Sequence, residues 1–213
     1  MKELNDTNGA SKLTAKVTAQ CLEEFSTDLI GAEFGVAYGG GIERIGKLWK
    51  DRGIVYGFDT FEGHPKEVAN DCKASKEAGG LNSFAALCMD EWYRSPEYGT
   101  EAIKLKHIQG ELTRQGIDNV KLIKGIVTKK TSIDFIHYLN YCLIDFDFPV
   151  AQLNAYNLVK GKIVKGGYLC LHDMIPKGHI HGNYEVYIQI LNEGLFEIVS
   201  EHEPEYLVIL KKI

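Results

Sequence analysis

The chain has 213 residues, 45% of them hydrophobic and 25% charged, and a formal net charge of −5. That length can bury one large core, and the acidic balance argues against a general nucleic-acid binder, which needs basic surface to displace counterions from phosphates. No stretch approaches the roughly 20 apolar residues that span a bilayer, and Met1 to Lys12 is polar, with no signal-like apolar region.

Ser11 to Phe25 has helical spacing and leads into the run Leu29–Glu33, which reads as a buried strand. Glu33-Phe34-Gly35-Val36-Ala37-Tyr38-Gly39-Gly40-Gly41 then turns the chain into a helix predicted over Ile42 to Lys50. A glycine-rich turn from strand to helix lets backbone approach a ligand closely, because no Cβ atoms intervene. The dinucleotide fingerprint Gly-x-Gly-x-x-Gly fits at no register around Gly35 or Gly39. With Ala37 in place of the middle glycine, the turn resembles Glu-x-Gly-x-Gly-x-Gly, the nucleotide loop of class I S-adenosylmethionine-dependent methyltransferases. Glu33, at a strand end, can accept hydrogen bonds from the ammonium of a cationic amino acid–nucleoside ligand.

Ile54 to Asp59 is a second strand, ending in an acid whose two oxygens match a vicinal diol, so Asp59 is the candidate for the ribose hydroxyls. No clear strand follows between Gly63 and Asn119. Leu81–Tyr93 and Glu101–Gln115 have helical spacing, the second stopped by Gly116. A connection that long suggests a helical, lid-like insertion at about 64–118. Its Phe84, Met89, Trp92 and Tyr93 either pack beneath the lid or line an acceptor pocket.

Strands at Val120–Lys124, Tyr141–Asp145 and Tyr168–His172 alternate with helices expected near Thr131–Tyr138 and Gln152–Val164. That alternation implies a parallel sheet with helices on both faces. Tyr184–Asn192 is a last helix, closed by Gly194. Phe196–Ser200 and Tyr206–Leu210 are too close in sequence for a crossover, so they form an antiparallel hairpin. The expectation is a single α/β domain over 1–213, doubly wound, with a mostly parallel seven-stranded sheet ending in that hairpin. Five scattered cysteines (Cys21, Cys72, Cys88, Cys142, Cys170) contain no Cys-x-x-Cys pair and read as free thiols in a cytoplasmic protein.

Tyr56-Gly57-Phe58-Asp59-Thr60-Phe61-Glu62-Gly63 resembles a signature of the macrocin O-methyltransferase type, enzymes that methylate sugar or phenolic hydroxyls of bacterial natural products. The likeness continues through Val120–Gly125, Ile144-Asp145-Phe146-Asp147-Phe148 and Gly166–Asp173. Two positions depart from the pattern. Phe148 stands where Tyr is usual, and His172 where the family has the first of two adjacent aspartates. The resemblance implies S-adenosylmethionine as cofactor, with contacts from Glu33, Gly35, Tyr38, Gly39, Asp59, Thr60, Phe61, Gly125 and Asp145. It also implies a Rossmann-like methyltransferase sheet and a divalent metal that anchors the acceptor oxygens.

Chemistry is expected at the carboxyl ends of the strands. Asp145 and Asp147 share a face if their strand runs through both. His172 and Asp173 close the following strand, which the resemblance places alongside. Asp145, His172 and Asp173 are therefore the candidate metal ligands, and Asp145 and His172 the candidate catalytic pair. An imidazole in the set suits Mn, Fe or Zn better than Mg. Metal-free general-base action by His172 is the rival role, and a purely structural one has Asp147 capping the next helix while Asp173 starts a turn before Pro176. His179 and His181, with His172, would instead make a three-histidine zinc site of a hydrolase. Three classes follow: an O-methyltransferase acting on a small hydroxyl-bearing molecule, a nicotinamide-dependent oxidoreductase, and a silent nucleoside-binding module. Neither nucleic acid nor membrane is an expected partner, and a homo-oligomer stays open.

Overall fold

Among the described residues, seven strands and five helices alternate along the chain. The computed structural model describes residues 9–63, 104–174, 183–203 and 206–213. Helix α1 (Gly9–Glu24) leads to β1 (Leu29–Phe34), α2 (Gly40–Leu48) and β2 (Gly53–Asp59). Helix α3 (Leu105–Arg114) precedes β3 (Val120–Lys124) and β4 (Leu139–Ile144). Helix α4 (Pro149–Val159), β5 (Ile163–His172), α5 (Asn183–Asn192), β6 (Phe196–His202) and β7 (Leu207–Lys212) complete the order.

The sheet runs β3-β2-β1-β4-β5-β7-β6. Strands β1 to β5 pair in parallel, and β7 is antiparallel to both β5 and β6, which makes the terminal hairpin the antiparallel edge of the sheet. Successive strands step outward from β1 to β3, then resume on the other side of β1 with β4. The crevice between β1 and β4 is thus the topological switch point where open α/β sheets bind ligands.

Every residue of β4 is buried, as a central strand covered on both faces requires. Cys142 and Ile144 point to one face, where Phe34, Phe58, Leu169 and Leu171 meet Tyr156 and Val159 of α4 and Tyr187 and Ile190 of α5. Tyr141 and Leu143 point to the other, with Tyr168 and Cys170, beneath α1, α2 and α3. Trp49 is fully buried there and donates its indole N–H to the Thr18 carbonyl at 2.9 Å, tying α2 to α1. Cys21, Cys142 and Cys170 are buried free thiols.

Two helix expectations need correction. Residues 128–138 form turns, not a helix. Thr128 and Lys130 donate backbone N–H groups to the hydroxyls of Thr131 and Thr128, and Asp134 donates its own to Ser132. Such local bonds offer the backbone an alternative to the helical ladder, while Ile133 and Ile136 still reach the core. The helix expected over Gln152–Val164 begins at Pro149, whose fixed φ suits a first helical position, and ends at Val159. Ile163 already pairs with Leu139 in β5.

Helix α3, within the long connection, buries Ile108 and Leu112 on the sheet side. The proposed helix Leu81–Tyr93 with its aromatic residues, Cys72, Cys88, His179 and His181 lie outside the described residues. No helix among the described residues is long and apolar enough to cross a membrane.

Candidate active site

The carboxyl ends of β1, β2, β4 and β5 each continue into a turn holding a non-glycine residue at positive φ: Ala37 (46°), Phe61 (55°), Asp147 (66°) and Asp173 (60°). Such conformations carry strain and persist only where surrounding contacts fix them. Their gathering around one crevice marks the site.

The first turn is threaded between its neighbours. Gly35 donates its N–H to the Phe58 carbonyl at 2.9 Å, and Asp145 donates to the Phe34 carbonyl at 2.7 Å. Gly35 has φ 94°, and a Cβ there would lie 2.0 Å from the Asp145 carbonyl oxygen. This glycine therefore serves strand-end packing first. Gly39 is at the N-cap of α2, and a Cβ on it would meet Ile108 at 2.9 Å. A Cβ on Gly41 would sit 2.7 Å from one Glu33 carboxyl oxygen and 2.8 Å from the other. Gly40 alone in the triplet faces space clear of the described residues within 4 Å. Gly40 is thus the open backbone position of the turn, within the unbroken run Gly39–Gly41. Tyr38 lies half-buried within the turn.

Glu33 is 3% exposed, and its Oε2 has no hydrogen-bond partner among the described residues. Burial pushes its carboxyl up to about 8. The charge of Asp145 adds to the rise, Arg44 opposes it, and Asp59 adds a smaller push. A buried carboxyl without a partner is costly, which makes Glu33 a candidate to receive a donor group of a ligand.

Asp59 faces the same turn. Its Oδ2 accepts the backbone N–H groups of Val36 at 2.8 Å and Ala37 at 3.1 Å, and its Oδ1 accepts that of Phe61 at 2.8 Å. Thr60 donates its hydroxyl to the Gly63 carbonyl. The Phe61 ring is buried in the core layer under α2, and Gly125 donates its N–H to the Asp59 carbonyl at 2.9 Å.

The second half of the site follows from register. Ile144 pairs with Leu171 in the parallel ladder between β4 and β5, so Asp145 and His172, one residue further on each, emerge side by side. His172 Nδ1 lies 3.0 Å from Asp145 Oδ1 and 3.2 Å from Asp173 Oδ2. It is buried, yet its N–H direction is aligned with neither oxygen as a hydrogen bond. Burial disfavours charge on this ring, but the two carboxylates outweigh it and His172 is pushed up to about 12. One donor atom from each of Asp145, His172 and Asp173 can be chosen so that all lie within 4.8 Å of one another. Ligands about 2.1 Å from a common ion and at right angles stand about 3.0 Å apart, and the two imidazole–carboxylate separations match that spacing, so these three residues could hold a divalent cation.

Asp147 does not join them. Strand β4 ends at Ile144 and Asp147 is left-handed, so it shares no strand face with Asp145. Nor is it the cap of α4, since Phe148 occupies the N-cap position with no side-chain cap. Two buried amides, which sequence reasoning passed over, hold the two exits. Gln152 donates Nε2–H to the His172 carbonyl at 3.0 Å, and Asn183 donates Nδ2–H to the Asp147 carbonyl at 2.9 Å.

The sheet order, with its parallel core and antiparallel terminal hairpin, is the Rossmann-like fold of S-adenosylmethionine-dependent methyltransferases. The O-methyltransferase NovP superposes with a TM-score of 0.66, covering 95% of this chain and 78% of that one at 16% identity. The calicheamicin methyltransferase CalS11 gives 0.62 over 93% and 77%, at 15% identity. An rRNA methylase from Streptococcus thermophilus gives 0.56 over 94% and 95%, also at 15% identity. At such identities the likeness is one of fold. No protein-family model and no curated protein matches the sequence.

Proposed function

We propose that this chain is an S-adenosylmethionine-dependent O-methyltransferase of the macrocin type, acting on a hydroxyl of a small molecule such as a sugar or natural product, with a divalent cation at Asp145, His172 and Asp173. One observation carries the reading. Two buried polar atoms without aligned partners, Glu33 Oε2 and His172 Nδ1, flank Asp145 at the switch point of a methyltransferase sheet. The first suits a ligand ammonium, the second a metal or an acceptor.

Glu33 would receive the ammonium, the Gly40 backbone would line the path of the ligand, and Asp59 would stand behind the turn. The cofactor supplies an electrophilic methyl group on a sulfonium. What remains for the protein is alignment and removal of one proton from the acceptor. Asp145 lies between the two halves of the site and is the group best placed to orient that hydroxyl and take its proton. A bound cation would lower the hydroxyl's pKa. The mixed oxygen and nitrogen donor set favours Mn, Fe or Zn over Mg. Metal-free base action by His172 is less favoured, because an imidazole clasped by two carboxylates already carries the proton it would need to accept. NovP and CalS11, named as methyltransferases, support the reaction class.

A thermal-shift comparison tests the reading. S-adenosylhomocysteine should raise Tm, and NAD should leave it unchanged. Stabilisation by NAD alone would overturn the proposal in favour of an oxidoreductase.

A further inference from the structure

Asp59 has the place of a ribose-binding acid, but its oxygens are largely spent. An ionised carboxylate offers about four acceptor positions. Val36, Ala37 and Phe61 fill three of them with backbone N–H groups. The Thr60 hydroxyl lies 3.4 Å from Oδ1, with its proton engaged by the Gly63 carbonyl. One position on Oδ1 is left. A vicinal diol therefore has no second Asp59 oxygen to bind while the turn keeps this shape.

The amides that Asp59 holds are not ordinary ones. Ala37 and Phe61 are both left-handed non-glycine residues, one at the exit of β1 and one at the exit of β2. Ala37 occupies a glycine position of the nucleotide-loop pattern, so here a side chain adopts a backbone conformation that glycine takes without strain. Something must hold it there, and the Asp59 carboxylate spans both turns at once.

We infer that Asp59 is a positioning residue: its carboxylate locks the β1–α2 turn and the β2 exit in their ligand-ready shapes, and supports the cofactor through those turns rather than by a two-oxygen grip on the ribose. The inference rests on the cofactor reading above. It makes Asp59 and Ala37 a coupled pair, because a glycine at position 37 would need less holding.

The test is calorimetry of S-adenosylhomocysteine and its 2′,3′-dideoxy analogue against wild type, Asp59→Asn, Asp59→Ala, Ala37→Gly and the Asp59→Asn/Ala37→Gly double variant. Losing the bonds to Asp59 should weaken S-adenosylhomocysteine about tenfold to a hundredfold. The same factor should apply to the dideoxy analogue, and Ala37→Gly should recover much of it. Hydrogen exchange on the ligand-free protein should show the Val36 and Ala37 amides exchanging faster in Asp59→Asn, the milder variant if Asp59→Ala does not fold. A mutational loss that vanishes with the dideoxy analogue would establish a ribose grip and overturn the inference. Unchanged amide exchange would also overturn it. If wild type binds no S-adenosylhomocysteine, the cofactor reading fails, and the exchange measurement still decides the role of Asp59.

Discussion

The carbonyl oxygen of Asp145 occupies the space that a side chain on Gly35 would need, 2.0 Å from where its Cβ would lie. The glycine turn and the acid of the Asp145–His172–Asp173 cluster are thereby one packed unit. The same contact changes what a mutation at Gly35 should do.

Gly35→Ala should destabilise the fold as well as the ligand site. Its φ of 94° is strained for an L-residue, and the clashing atom is backbone, which cannot rotate away. A loss of at least about 2 kcal/mol is expected in urea denaturation. A variant of wild-type stability that fails only in ligand binding would show that the turn yields freely around the methyl group.

Glu33 predicts a stability that falls with pH. Its carboxyl is raised from 4.5 to about 8 in the folded chain. Below the unfolded value both states hold the proton and the group costs nothing through charging. Between about 4.5 and 8 the unfolded chain ionises while the folded one does not, so stability declines, and above 8 the loss is complete. Glu33→Gln should remove this slope and exceed wild type in stability at pH 8 by an amount on the order of a few kcal/mol. It should also weaken S-adenosylhomocysteine, because the ammonium partner is gone. Parallel pH profiles for the two proteins would refute the buried-carboxyl assignment.

Much of this site was legible in order and obscure in detail. Val120–Lys124 is a strand at the predicted bounds, because a short apolar run between polar turns has few alternatives. Asp145 and His172 were expected together, and the β4–β5 register brings them together. Gln152 read as an ordinary helical residue and Asn183 drew no reading, since only tertiary contact reveals that each holds a strand exit. Asp147 misled for a related reason. Sequence spacing fixes a shared face only where the strand continues, and β4 stops at Ile144. The Gly35 contact with Asp145 joins residues far apart in sequence, so spacing around the glycine turn could suggest a ligand but not a packing partner.

The cluster of Asp145, His172 and Asp173 predicts a metal requirement with an unusual preference. EDTA should abolish methyl transfer, and Mn²⁺ should restore it at least as well as Mg²⁺, because the imidazole in the donor set suits a nitrogen-accepting ion. Metal affinity should rise with pH, since the ion must displace a proton that both carboxylates help His172 retain, up to about 12 in the metal-free chain. His172→Asp should move the preference toward Mg²⁺ and keep turnover, as an all-oxygen set would. Asp145→Asn should be the most damaging single change, for it removes a charge from the cation site and the acceptor of the substrate proton together. A base-only site behaves oppositely: activity survives chelation, His172→Asp is severely impaired, and the pH–rate profile loses a limb. Full turnover after exhaustive chelation, with no metal found by elemental analysis, would eliminate the cation and leave the proton on His172 to be explained by catalysis alone.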